Sequence, residues 1–392
     1  MTFPEHFRIT PRNLHEALYL LTSISLVFVD WIPEVSSVSS IGFIALFSFS
    51  LCYWLLDKFR RKKILYLEIF VVVFLVYLLC NFFVALVNGV AVSGWVRAAI
   101  PVLVCAYSLF IFEMLRRSNI YYTAWVLIVS AVLWSGFLLY SNSIDVVQLI
   151  YDRSRITGIE QAFVIPYPFL GAVLILTLYR LGVITTLLLL YFAFLILVTG
   201  YKAQLALLVL AVLFYLYKEK ISLMPLGTVV LGLILVFFII SMLGVNVSAF
   251  EYVAMRFSSV GGAGDEIRIF EIFSALDIFS DAPFFGSGLG VEFPLKPDSV
   301  DTKNYIHNFF FYYLASIGVV GVLLMFILLY IAARRPGGLR PYFSGVLFSY
   351  ALLLLAALTA ASFKLIHYNF FLAVLFGAIY YSSSRFLEGE YA

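Results

Sequence analysis

The stretch Lys58-Phe59-Arg60-Arg61-Lys62-Lys63, followed by ILYLEIFVVVFLVYLLCNFFVALV at residues 64–87, decides the fold class. The apolar run carries a single charge, Glu68, and exceeds the roughly 20 residues that a helix needs to cross a bilayer. The basic cluster before it marks a cytoplasmic flank. Working outward, similar runs recur at about 16–32, 41–57, 95–115, 120–140, 166–180, 183–199, 203–217, 224–243, 305–332, 342–363 and 368–382. Those at 166–180 and 203–217 are short for a span. Composition agrees: of 392 residues, 64% are hydrophobic and 12% charged, and mean hydropathy is +1.05. Soluble domains are about half apolar and roughly a quarter charged, and disordered chains are poorer still in apolar residues, so both classes are excluded. The expectation is an all-α polytopic membrane protein, with residues 1–392 forming one integral membrane domain of about 12 transmembrane helices.

Twelve spans with the N-terminus inside put both termini in the cytoplasm. Of the 25 lysines and arginines, only nine then fall outside cytoplasmic segments: Arg97, Arg153, Arg155, Lys202, Arg256, Arg268, Lys296, Lys303 and Lys364. The short connections obey the positive-inside rule. The N-terminus lacks the pattern of a cleavable signal peptide. Cys52, Cys80 and Cys105 lie inside apolar runs and suggest neither a metal motif nor a disulfide framework. The 18% aromatic content exceeds what interface belts alone require.

Two external loops, about 141–165 and about 244–304, are longer than connections need to be, which points to function on the outer face. The second contains Gly261-Gly262-Ala263-Gly264-Asp265-Glu266-Ile267-Arg268. An amphipathic stretch follows, with Ile269, Ile272, Phe273, Leu276 and Phe279 at helical spacing and Arg268, Glu271 and Asp277 away from them. This predicts a helix lying on the outer membrane surface. Asp265 is its candidate N-cap, with Arg268 in the first turn. A helix N-terminus with a guanidinium suits a phosphate or diphosphate. The plainer reading pairs Arg268 with Glu271 or Asp265.

Pro283 then stops the helix, and Gly286, Gly288 and Gly290 demand a tight, close-packed turn. His307, where the loop re-enters the membrane, has the chemistry of a general base for a hydroxyl; the plainer reading is an interfacial imidazole among aromatics. Tyr305 and the aromatic run Phe309–Tyr313 offer stacking faces for sugars, or ordinary packing surface. Arg153 and Arg155 suit an anionic ligand or pair with Asp152 and Glu160. Lys202 occupies a very short external turn, where a cation must snorkel or find an anion. His367 and Lys364 read as anchors in another external turn. No Asp-x-Asp pair, zinc motif or nucleotide-binding loop appears, so the sequence supports no metal site, no other cofactor and no nucleotide-driven pump.

The succession Arg268, Pro283-Phe284-Phe285-Gly286-Ser287-Gly288-Leu289-Gly290, His307-Asn308-Phe309 and Ile317-Gly318-Val319-Val320-Gly321 resembles the O-antigen ligase/polymerase superfamily, the Wzy-type polymerases and their ligase relatives. The best-matched region is about 256–321. The resemblance implies a membrane glycosyltransferase (GT-C-like) architecture with its site facing the periplasm of the inner membrane. It also implies inverting, metal-independent transfer from a glycan on undecaprenyl diphosphate. Arg268 matches the family's helix arginine, which holds the donor diphosphate, and His307 matches the histidine acting on the acceptor hydroxyl. Lys202 falls where many relatives have Ser-Arg; lysine keeps the charge but lacks the bidentate fork. Arg153, Arg155 and Arg256 are further candidates for the diphosphate.

The function expected is therefore O-antigen polymerase, with O-antigen ligase as its alternative and a polysaccharide or lipid flippase or a non-enzymatic scaffold behind them. A flippase would place cations along a central cavity, whereas here Arg97 alone approaches a span start outside the loops discussed. Expected partners are the undecaprenyl-diphosphate-linked glycan, the lipid bilayer, a chain-length regulator and a flippase, but no nucleic acid.

Overall fold

A computed structural model describes residues 11–29, 36–61, 66–141, 167–199, 202–220, 263–294, 301–303, 305–333, 342–358 and 365–384. These residues are mostly helical: α1 (Pro11–Val27), α2 (Ser36–Arg61), α3 (Tyr66–Val87), α4 (Val92–Leu103), α5 (Tyr107–Leu115), α6 (Ile120–Ser141), α7 (Tyr167–Leu178), α8 (Val183–Thr199), α9 (Lys202–Glu219), α10 (Ala263–Asp281), α11 (Phe309–Ala333), α12 (Phe343–Ala357) and α13 (Ile366–Ser384). Two short strands, β1 (Phe293–Pro294) and β2 (Thr302–Lys303), pair antiparallel between α10 and α11. Each expected apolar run overlaps a helix except 224–243, which lies outside the described residues, as do 30–32, 64–65 and 359–363 at the ends of others.

Segments Ile41–Phe59, Glu68–Val87, Val92–Leu115 and Phe309–Ala333 are long and apolar enough to cross a membrane, and shorter apolar helices accompany them. Pro101 removes one hydrogen bond from α4, and the chain tightens into a 3₁₀ turn at Val104–Ala106 before continuing as α5. Every residue of α5 and of α7 is buried. Buried on all sides, α7 needs no polar face; its 12 residues rise only about 18 Å. It is packed by α6, α8, α9 and α12, while α5 lies against α13 and α2. By contrast, α2, α3 and α11 leave large apolar side chains exposed, the surface that lipid covers.

Hydrogen bonds define two ends of the bundle. At one end Arg117 binds Asp57 at 2.6 Å and Glu113 at 3.2 Å, and Lys58 meets Glu68 at 2.5 Å. Tyr179 donates to the Tyr121 carbonyl at 2.6 Å, and Lys218 to the Thr177 carbonyl at 3.1 Å. These contacts gather the ends of α2, α5, α7 and α9 with the starts of α3 and α6. The connections on this side carry the residues expected to face the cytoplasm. The helices reverse direction in turn, so α6 ends, and α7, α9, α11 and α13 begin, at the opposite end.

Candidate functional site

At that opposite end, α11 is broken. Gly318 adopts φ 62°, ψ −175°, a conformation essentially closed to side-chain-bearing residues. The turn after α10 inserts at the break and replaces the helix's own hydrogen bonds. The N–H groups of Ser287 and Gly288 donate to the Ala315 and Ser316 carbonyls at 2.8 and 2.9 Å. In return, Val319 and Val320 donate to the Pro283 and Phe284 carbonyls at 2.9 and 3.1 Å. Irregular backbone inside a bundle survives only when its polar groups are satisfied in this way. From α3, Asn81 donates to Ser316 O at 3.0 Å and Phe285 O at 3.3 Å, and accepts from Leu289 N–H at 2.9 Å. The Tyr77 hydroxyl donates to the Ile317 carbonyl.

The close-packed turn expected from Gly286, Gly288 and Gly290 is therefore present, with φ of 69°, 99° and 88°. A Cβ on Gly286 would lie 2.5 Å from the backbone of Ser316, and one on Gly318 would lie 2.4 Å from the Phe284 carbonyl oxygen. Backbone meets backbone here. The run 305–332, expected as one span, contains the helix Phe309–Ala333, long and apolar enough to cross a membrane; the kink at Gly318 lies within it, and the inserted turn supplies partners that an uninterrupted helix would have supplied itself.

Beside this turn, α10 runs along α11 and touches β1. Its outward face carries Ile269 (55% exposed), Phe273 (62%) and Leu276 (36%), while Glu271, Ser274 and Ala275 are buried. Glu271 was expected to point away from the apolar stripe. It does, but that direction leads into the protein rather than into water. With its apolar stripe outward, this helix places the opposite face against α11.

The Glu271 carboxylate is the hub of the site. It accepts from the His307 backbone N–H at 2.8 Å and meets ring Nδ1 at 2.9 and 3.0 Å. Lys303, on β2, donates to the same carboxylate. Burial pushes the Glu271 carboxyl up, but hydrogen bonds from His307 and Lys303 prevail and hold it below its usual value. The carboxylate is thus ionised and can only accept, so the proton of a neutral ring belongs on Nδ1, and Nε2 then keeps its lone pair with no hydrogen-bond partner among the described residues. Tyr305 meets the His307 ring edge-to-face at 5.9 Å, and its own ring lies 5.3 Å from Lys303 Nζ. Next in sequence, Asn308 caps α11: its Oδ1 accepts from the N–H groups of Phe310 and Phe311 at 3.1 and 3.3 Å.

Arg268 lies exposed on α10, one turn before Glu271. The helix begins at Ala263, three residues earlier than an Asp265 cap requires, so Arg268 sits in its second turn rather than its first. Lys202 is the first residue of α9, at the same end of the bundle. Arg153, Arg155 and Arg256 lie outside the described residues. Tyr312 and Tyr313 are buried, which is the packing alternative, whereas Tyr305 is exposed. His367 is not an interfacial anchor: it is fully buried and its Nε2 donates to the Leu26 carbonyl at 2.8 Å, tying α13 to α1.

Reading the sequence missed Glu271 and Lys303 as site residues. The available signal was a carboxylate opposite an apolar stripe on a helix whose other neighbours on that face, Ser274 and Ala275, are small. Phe309 lines an apolar cavity of about 110 Å³ between α3, α4, α5, α11, α12 and α13, together with Phe74, Tyr313, Met325, Tyr350 and Leu372 among others.

The fold and site define a helical membrane protein with a histidine–carboxylate–lysine cluster at one end of its bundle, beside a helix bearing an arginine. Residues 168–326 match the Wzy_C family, described as O-antigen ligase, in line with the resemblance to the O-antigen ligase/polymerase superfamily seen in the sequence. The match includes α7 to α10, the glycine turn, His307 and most of α11. No curated protein matches the chain.

Proposed function

We propose that the protein is an O-antigen polymerase that joins undecaprenyl-diphosphate-linked repeat units at the periplasmic face of the bacterial inner membrane. The family match suggests glycosyl transfer. The observation that carries the particular reading is the juxtaposition on α10: Arg268 stands one turn from the carboxylate that holds His307. In this reading His307 Nε2 takes the proton of an acceptor sugar hydroxyl. The hydroxyl oxygen bonds to the anomeric carbon of the donor glycan from the face opposite the diphosphate, inverting the centre. The anomeric carbon–oxygen bond breaks and its electron pair leaves with the undecaprenyl diphosphate. Arg268, with Lys202, Arg153, Arg155 or Arg256, stabilises the departing charge without a metal.

The setting proposed is a single membrane domain of twelve spans with GT-C-like architecture and both termini cytoplasmic. Residues 141–165 and 244–304 form its periplasmic loops, and α10 rests its apolar face on the outer leaflet. A chain-length regulator and a flippase are the expected partners. The family description favours a second reading, O-antigen ligase, with the same donor and lipid A-core as acceptor.

Deletion of the gene tests both readings. A polymerase deletion leaves a single repeat unit on the lipopolysaccharide core, and a ligase deletion leaves none; an unchanged ladder would sink both. Complementation with His307→Ala should lower the rate of polymer formation by about 10²-fold or more, the contribution of a general base. Normal-length polymer made at the normal rate by that strain would remove His307 from the role.

A further inference from the structure

We infer that Glu271 is the positioning residue for His307, holding the imidazole by Nδ1 so that Nε2 faces the acceptor hydroxyl, with Lys303 balancing the carboxylate's charge. The inference rests on the reading of His307 as the base, and adds to it a residue that no motif in the sequence indicates.

Three observations carry it. First, one carboxylate grips His307 twice, at the backbone N–H (2.8 Å) and at Nδ1 (2.9 Å), which constrains the residue's main chain and its ring together. A carboxylate used merely to tie α10 to the start of α11 needs only the backbone bond. Second, Glu271 is only 2% exposed. Burying a carboxylate costs several kcal/mol unless partners compensate, and its neighbours on the same face, Ser274 and Ala275, pack there without charge. The charge is therefore spent where the imidazole is. Third, Arg268 precedes Glu271 by one turn, about 5 Å along a rigid helix. The cation proposed for the leaving diphosphate and the anchor of the base thus share one element, which fixes the spacing between the two ends of the reacting bond.

Among the described residues, the charged and titratable groups at His307 and its carboxylate are Glu271 from α10, Lys303 from β2 and Tyr305 from the lead-in to α11, with Arg268 one turn from Glu271 on α10. Of these, only Glu271 bonds to the ring. When the acceptor proton moves to Nε2 the ring becomes an imidazolium, and the adjoining carboxylate stabilises it without itself becoming protonated. Lys303 keeps the carboxylate ionised throughout.

The test uses the full-length protein in lipid, with lipid-linked repeat units purified from the deletion strain, which accumulates them under the polymerase reading. Glu271→Gln preserves size but can turn an N–H toward Nδ1, which places the ring proton on Nε2 and removes the base. The expected result is a fall in kcat on the order of 10²-fold with KM for the lipid-linked unit unchanged. Combined with His307→Ala, Glu271→Gln should cause no further loss, since both remove the same function. Glu271→Asp, one methylene shorter, should recover part of kcat.

Full kcat in Glu271→Gln alongside an inactive His307→Ala would overturn the inference and leave the base reading standing. Losses that multiply in the double variant would make Glu271 a structural tie and overturn it equally. Wild-type kcat in His307→Ala would instead remove the base reading and the inference together. Where Glu271→Gln fails to fold by thermal unfolding and size exclusion, Glu271→Asp alone and combined with His307→Ala decides by the same criterion.

Discussion

His307 and Asn308 are adjacent yet do unrelated work. The histidine turns its ring back to Glu271 on α10, while the asparagine caps α11 with its side-chain oxygen. His307 stood out as a candidate from residue type and place in the chain, but its partner did not, because Glu271 lies 36 residues away and pairing depends on how α10 rolls against α11. The lowered pKa of Glu271 has a consequence for stability. A carboxylate depressed in the folded state contributes stability that is present above its ordinary value near 4.5 and is lost as the pH falls through the lower folded value. Thermal stability of the purified protein should therefore fall on acidification below about pH 4.5, and Glu271→Gln should flatten that part of the dependence. An identical acid profile in the two proteins would mean that the carboxylate is not held ionised by His307 and Lys303.

At the scale of the element, the informative feature is the broken helix α11 and the turn that repairs it. The tight glycine turn could be expected from Gly286, Gly288 and Gly290. Its insertion into α11 could not, since Gly318 sits in a run apolar enough for an uninterrupted span. Gly318→Ala should destabilise the protein by on the order of 1–3 kcal/mol from backbone conformation alone, before the clash with the Phe284 carbonyl. Asn81→Leu would orphan buried backbone groups of the turn, at about 1–3 kcal/mol for each. Both variants should lose thermal stability and polymer formation together, because the turn is continuous with the α10 helix that holds Glu271. A Gly318→Ala protein as stable as the wild type would show that the break in α11 is not required. Apolar runs announced α3 and α11 correctly as helices; they are silent about which backbone hydrogen bonds those helices give up.

For the whole molecule, the distribution of charge has two parts. Ion pairs such as Arg117–Asp57 and Lys58–Glu68 gather at one end of the bundle, and the Glu271 hub lies at the other. The proposed topology places the first in the cytoplasm and the second in the periplasm. In a background lacking Cys52, Cys80 and Cys105, Asn119→Cys should react with a membrane-impermeant thiol reagent only from the cytoplasmic side, and Tyr305→Cys only from the periplasmic side. Labelling of both from one side would sink the twelve-span topology.

The sequence alone determined that the chain belongs in a membrane and that its elements are helices, and it singled out Arg268, His307 and the glycine turn as candidates. Those properties follow from local composition and short spacing: an apolar run long enough to span, a glycine where φ must be positive, an imidazole beside a span. Tertiary structure alone decided that Glu271 faces inward, that Lys303 and His307 meet on it, and that the turn threads into α11 under Asn81. Each of these depends on the rotation and approach of helices distant in sequence, and the free energy that sets them is a sum over contacts that no single segment contains.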